Sequence, residues 1–122
     1  MLPYLDQTIL QLAQECAARG DVEALCECVP HIDHSVAEIA AKHNQTDILD
    51  WLYYDELFRD DWIHPENICI IGAEYGHIDV LVWCLDNYPY LTFSNNNIVE
   101  IAQEHGHEDL LTWCNDHYIY RQ

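Results

Sequence analysis

Apolar and polar positions along this chain recur around four turn residues, Gly20, Asn44, Gly76 and Gly106. Four and five places after each turn stands an apolar pair: Ala24-Leu25, Ile48-Leu49, Val80-Leu81 and Leu110-Leu111. Eight residues before the turn come Leu12, Val36, Ile68 and Ile98, and five before it Ile39, Ile71 and Ile101. Spacings close to one helical turn mark a buried helical face, so a first helix ends at each turn and a second begins beyond it. The predicted helices are 7–19 and 22–29, 35–43 and 46–54, 66–75 and 78–86, and 97–105 and 108–117. No segment alternates as a strand does.

The residues between these stripes agree with that division. Gly and Asn best tolerate the left-handed backbone that closes a helix. Four residues before each turn the side chains are small (Cys16, Ala40, Gly72, Ala102), and Ala17, Ala41 and Ala73 follow, so neighbouring helices can approach closely. Thr8 with Gln11 and Ser35 with Glu38 read as capping boxes, Asn97 with Glu100 as a variant, and Pro65 as a first helical residue. Glu23, Asp47, Asp79 and Asp109 fall in the first turn of each second helix, where the helix dipole favours negative charge. Four repeats result, at about 5–30, 31–56, 64–88 and 95–120, within a single domain 1–122. Each buries its apolar face only against its neighbours.

The stretch Ala73-Glu74-Tyr75-Gly76-His77-Ile78-Asp79-Val80-Leu81 resembles the second half of an ankyrin repeat, and Ala102-Gln103-Glu104-His105-Gly106-His107-Glu108-Asp109-Leu110-Leu111 is similar. In that family an Ala-Ala pair precedes Gly-His, an aliphatic, an acidic residue and an aliphatic helix. The Trp after the aliphatic pair (Trp51, Trp83, Trp113) resembles divergent ankyrin proteins of large DNA viruses and intracellular bacteria. The resemblance implies an all-α ankyrin-like solenoid of four helix-turn-helix repeats that binds proteins, with His77 and His107 serving turn hydrogen bonds. Two features depart from the family. No copy carries the Thr-Pro-Leu-His opening, and the turns lie 24, 32 and 30 residues apart, where the family keeps about 33. Short or absent β-hairpin fingers follow, with only Pro30 to His34 connecting the first two repeats.

Charge narrows the range of partners. Against 22 acidic residues stand Arg19, Lys42, Arg59 and Arg121, for a net charge of −18. Such a field attracts basic partners and repels bare nucleic acid. With half of its residues apolar, the 122-residue chain is too hydrophobic for disorder and is sized for one domain. No apolar run reaches the roughly 18 to 20 residues that span a bilayer, and Met1-Leu2-Pro3-Tyr4-Leu5-Asp6 lacks a signal-peptide pattern. The expectation is a cytoplasmic protein, in a host cell if it is an effector, with no membrane partner and existing as a monomer or weak homo-oligomer.

Candidate chemistry is sparse. Cys28, Cys84 and Cys114 share the position eight after the turn with Leu52, and Cys16 sits among the small stacking residues, so these read as reduced core thiols. Cys26 and Cys28, two apart on a helix, point to different sides and do not share a metal. Eight histidines, densest at His105-Gly106-His107 and His31-x-x-His34, form no four-ligand set of recognised spacing. His43 and His105 sit where a helix C-terminus favours positive character. There is no phosphate loop, nucleophile elbow or zinc-protease helix, which points to a non-enzymatic chain without cofactor or metal.

The irregular connectors carry the remaining signal. Tyr53-Tyr54-Asp55-Glu56-Leu57-Phe58-Arg59-Asp60-Asp61-Trp62, Tyr88-Pro89-Tyr90-Leu91-Thr92-Phe93 and Tyr118-Ile119-Tyr120 mix aromatics with acid, as partner surfaces do. In the reading as an adaptor or effector, the concave face and connectors bind a protein with a basic patch. Glu15, Glu38, Glu74, Glu100 and Glu104 then steer the encounter, and Tyr54, Phe58, Trp62, Tyr88 and Tyr90 anchor it. An alternative is an acidic nucleic-acid mimic that inhibits a DNA- or RNA-binding protein, which requires rows of carboxylates at phosphate-like spacing.

Overall fold

The computed structural model describes residues 3–28, 32–54, 63–89 and 98–116. They form α1 Pro3–Arg19, α2 Val22–Cys26, α3 His34–Lys42, α4 Thr46–Tyr54, α5 Pro65–Glu74, α6 Ile78–Asn87, α7 Ile98–Glu104 and α8 Glu108–Asp116. The fold is all-α, and no strand occurs among the described residues. Segments 29–31, 55–62 and 90–97, where hairpin fingers would fall, lie outside those residues.

The helices group into two compact units, Met1–His64 with α1 to α4 and Pro65–Gln122 with α5 to α8. In the first, α1 packs on α2 and α3, α3 packs on α4, and α2 touches α4. In the second, α5 packs on α6 and α7, and α7 on α8. Each unit therefore consists of two helical hairpins whose first helices lie against one another. Gln14 on α1 reinforces this contact in the first unit, donating from Nε2 to Ser35 Oγ on α3 at 2.8 Å.

All four hairpins turn in the same way. Gly20, Asn44, Gly76 and Gly106 have φ of 77°, 59°, 71° and 70°, the left-handed conformation their residue types predict. Each turn residue donates its N–H three residues back: Gly20 to Ala17, Asn44 to Ala41, Gly76 to Ala73 and Gly106 to Gln103. The next residue donates five residues back, Asp21 to Cys16, Gln45 to Ala40, His77 to Gly72 and His107 to Ala102, at 2.8 to 3.0 Å. This double bond pattern satisfies carbonyls that a helix end leaves orphaned.

Second helices follow the expected pattern except at Ala24 and Leu111, which are half-buried. Leu25, Leu49, Leu81, Ile48, Val80 and Leu110 are buried, as are Cys28, Leu52, Cys84 and Cys114 eight places after the turns. Trp83 is buried on α6, while Trp51 and Trp113 are half-buried. Glu23, Asp47, Asp79 and Asp109 occupy first turns as the dipole favours.

First helices depart from expectation. Their buried face runs eight, seven, four and three residues before the turn, as Val36, Ala37, Ala40 and Ala41 on α3 and Ile68, Cys69, Gly72 and Ala73 on α5. Ile39, Ile71 and Ile101, expected inside, flank that face half-buried. Leu12, also expected inside, is 50% exposed because Ala13, Cys16 and Ala17 occupy the buried face of α1.

Two caps differ as well. Helix α1 begins at Pro3, whose missing N–H suits a first helical position, so Thr8 lies within the helix. Asp33 rather than Ser35 caps α3: its Oδ1 accepts from Ser35 N at 2.9 Å and from the Ser35 hydroxyl. Pro65 opens α5 as expected, and Asn97 lies outside the described residues. Helix α2 stops at Cys26, three residues earlier than its pattern suggested, because Glu27 and Cys28 continue as turn, donating to Ala24 and Leu25.

Burial also sets the ionisation of the core thiols. It pushes Cys114 up to about 11 from the ordinary 9.0. A hydrogen bond shared with Cys69, then burial, raises Cys84, and burial, then Cys16, raises Cys28. Each folded value exceeds the unfolded one, so this contribution to stability is complete below pH 9 and is lost as pH rises from about 9 to 11 and beyond. Urea unfolding across that range should show falling stability, with a shallower fall in Cys114→Ala; identical slopes would refute the assignment for Cys114.

Candidate functional site

The residue just past each turn performs several tasks at once. Its N–H closes the first helix, and its carbonyl accepts the first bonds of the second helix, as Leu25 N to Asp21 O at 3.1 Å and Leu111 N to His107 O at 3.1 Å. Its side chain varies with place in the unit. Asp21, in the first hairpin, caps its own helix, accepting from Ala24 N at 3.1 Å. Gln45 and His107, each in the second hairpin of its unit, reach back to the hairpin before.

Those two contacts are equivalent. Gln45 Nε2 donates to the carbonyl of Ala18 at 3.0 Å, and His107 Nε2 pairs with the carbonyl of Glu74 at 2.7 Å. Ala18 and Glu74 each lie two residues before their turn glycine, Gly20 and Gly76. Because a carbonyl only accepts, His107 carries its proton on Nε2. The imidazole is thus a strut between hairpins, bonded beside the Gly76 turn of the preceding one. Its ring also stacks on His105 (6.0 Å, 8°), as Tyr75 stacks on His77 around Gly76 (6.3 Å, 14°).

The same contact explains a second demand on the glycines. A Cβ on Gly20 would lie 2.4 Å from Gln45 Oε1, and one on Gly76 would lie 2.7 Å from His107 Nδ1. A Cβ on Gly106 would meet nothing within 4 Å. Two glycines therefore answer to backbone conformation and to a neighbour, and the third to conformation alone. An open, largely polar depression of about 290 Å³ lies at this joint, lined by Gly76, Gly106, His107, Glu108, Asp109 and Leu110.

The sequence-derived partner residues fall at several places. Tyr54 ends α4, 67% exposed and edge-on to Tyr53 (4.8 Å, 84°). Tyr88 caps α6 and folds against Trp83 (5.9 Å, 61°), half-buried. Glu38 on α3, Glu74 at the end of α5 and Glu100 on α7 are half-buried, whereas Glu15 on α1 and Glu104 on α7 are exposed. Glu100 and Glu104 lie one helical turn apart; Phe58, Trp62 and Tyr90 lie outside the described residues.

What the sequence reading passed over is the outer face of α4. Asp47, Asp50 and Tyr54 are all exposed at helical spacings of three and four, with exposed Tyr53 beside them. The polar complement of the apolar pair Ile48-Leu49 could have revealed it. Cys26 is exposed and Cys28 buried, in keeping with their different sides of α2, and no group of three His, Cys, Asp or Glu among the described residues could hold a metal ion. His34 and His64, both exposed, stack at 5.1 Å within the first unit.

Two sets of variants test the joints. In urea unfolding, Gly106→Ala should lose about 1 kcal/mol, the left-handed backbone term alone, and Gly20→Ala about 2 kcal/mol as the Gln45 bond is displaced. Gly76→Ala should lose the most, about 3 kcal/mol, since a ring yields less readily than an amide; equal losses at all three would show that the neighbours do not matter. His107→Gln should stay within about 0.5 kcal/mol of the parent and His107→Leu lose about 1 to 2 kcal/mol, with the strut discounted if the two behave alike.

Comparison of the chain with protein-family models, curated proteins and solved structures finds no match.

Proposed function

We propose that this chain is a non-enzymatic, ankyrin-like interaction module that binds a partner protein with a basic surface in a cytoplasm, as an adaptor or effector. The observation that carries the reading is the outer face of α4. There the edge-on aromatic pair Tyr53 and Tyr54 stands beside the exposed carboxylates of Asp47 and Asp50 on a helical hairpin. Tyrosine supplies large contact area at little entropic cost, and an arginine or lysine meets both an aromatic ring and a carboxylate on such a face. The net charge of −18 steers a cationic partner toward it from a distance.

Support from the scaffold is of a general kind. Helical hairpins stacked through their first helices leave turns and second helices outward, where repeat proteins make contacts. Among the described residues no helix is long and apolar enough to cross a membrane.

Fluorescence anisotropy against a helical peptide rich in arginine and lysine provides the test. Tyr54→Ala should weaken binding roughly tenfold at constant salt, and Asp47→Lys with Asp50→Lys should abolish it, since anchors and partner charges both count. Reversing Glu38, Glu74, Glu100 and Glu104 to lysine should slow association and flatten its salt dependence without changing the anchor's contribution. Binding that ignores Tyr54 and follows total charge alone would instead favour the nucleic-acid mimic.

A further inference from the structure

A stacking joint that is occupied at two glycine turns stands open at the third. At Gly20 the side chain of Gln45 lies against the glycine and donates to the carbonyl of Ala18 at 3.0 Å. At Gly76 the His107 ring lies against the glycine in the same way and bonds to the carbonyl of Glu74 at 2.7 Å. Gly106 repeats the seat. Its φ is 70°, its own N–H and that of His107 close α7, and the Glu104 carbonyl stands two residues before it. Among the described residues nothing lies within 4 Å of where a Cβ on Gly106 would be, and the Glu104 carbonyl accepts no hydrogen bond. A carbonyl left over at a helix end is an acceptor waiting for a donor.

The surroundings select the kind of donor. The open depression beside Gly106 is lined by His107, Glu108 and Asp109. Glu104, Glu108 and Asp109 are exposed and form no ion pair among the described residues. From Ile98 to Asp116 the chain carries Glu100, Glu104, Glu108, Asp109 and Asp116, with no lysine or arginine. With its Nε2 proton given to Glu74, His107 offers only an acceptor at Nδ1. A guanidinium meets this set best, since its planar fork of N–H donors serves a carbonyl and carboxylates together and its flat face rests on an imidazole. A second copy of the chain fits poorly. In its first hairpin Asp21, which only accepts, holds the place of Gln45 and His107, and acid would face acid.

We propose that the Gly106 turn is an arginine-binding site, where the guanidinium of a basic partner protein takes the place that Gln45 and His107 hold at the other two glycine turns. The guanidinium crosses the bare face of Gly106, donates to the Glu104 carbonyl and pairs with Glu108 and Asp109 at the edge of the depression. The main-chain oxygen fixes its position, the carboxylates supply the attraction, and the missing side chain leaves the room. This inference rests on the basic partner proposed above and gives that partner a second contact, on the second unit, besides the outer face of α4.

The test is an NMR titration of the full chain with N-acetyl-arginine amide, followed at the backbone amide signals. Saturable shifts should centre on Gly106, His107 and Glu108. N-acetyl-lysine amide should bind about fivefold more weakly, and the citrulline analogue, which keeps the shape and loses the charge, should cause no saturable shift. Gly106→Asn keeps a residue type that holds the left-handed turn at Asn44 but fills the seat, and should weaken binding about tenfold. Asp109→Asn, which leaves the turn untouched, should weaken it about threefold. Shifts that never saturate, an equal response to the citrulline analogue, or an unchanged affinity in both variants overturns the proposal. Tyr54→Ala should leave the titration at Gly106 intact, so a failure of peptide binding on α4 with arginine still bound at Gly106 counts against the α4 surface alone.

Discussion

Everything in each hairpin hangs on one residue held with positive φ. The left-handed turn brings the next N–H back onto the carbonyl five residues earlier, and the two helices can then lie antiparallel with no longer connector. Where that next residue is Gln45 or His107, its side chain extends the arrangement to the preceding hairpin. Backbone conformation, helix termination, helix initiation and hairpin stacking thus share one place in the chain. Loss of the turn would release several hydrogen bonds together, each worth about 1 kcal/mol net.

Around that pivot the interior is built for close approach rather than bulk. Alanines and Gly72 line the first helices beside Val36, Ile68 and Ile98, and the buried leucines come from the second helices. Small residues allow short distances between first helices, while thiols fill space as small hydrophobes. The surface is the reverse, with carboxylates at helix starts and outer faces. Their mutual repulsion opposes compactness, so stability must come from the apolar faces and the closing turns.

Much of this scaffold was legible in the sequence. The second helices and the four turns could be read because leucine-type residues recur at fixed distances from a glycine or asparagine, and α4 came out at its observed bounds. The first helices were harder. Ile39, Ile71 and Ile101 look like core by residue type, yet they border a face made of alanines, which carry a weak hydrophobic signal. Leu12 misled for the same reason, and at α3 a Ser-x-x-Glu pattern drew attention from Asp33 two residues earlier. For the candidate surface, Tyr54 was visible in the sequence. Its grouping with Asp47 and Asp50 was legible only as the polar complement of Ile48-Leu49 on that helix.

The struts from Gln45 and His107 end on main-chain oxygen, which every residue type possesses. No particular side chain is needed at Ala18 or Glu74, so substitution there calls for no matching change in the donor. The donor itself can alternate between an amide and an imidazole, as the two units do. Residue covariation among descendants of this sequence would therefore miss the contact that joins successive hairpins. Its written trace is the absence of a side chain at Gly20 and Gly76, beside a hydrogen-bond donor one repeat later.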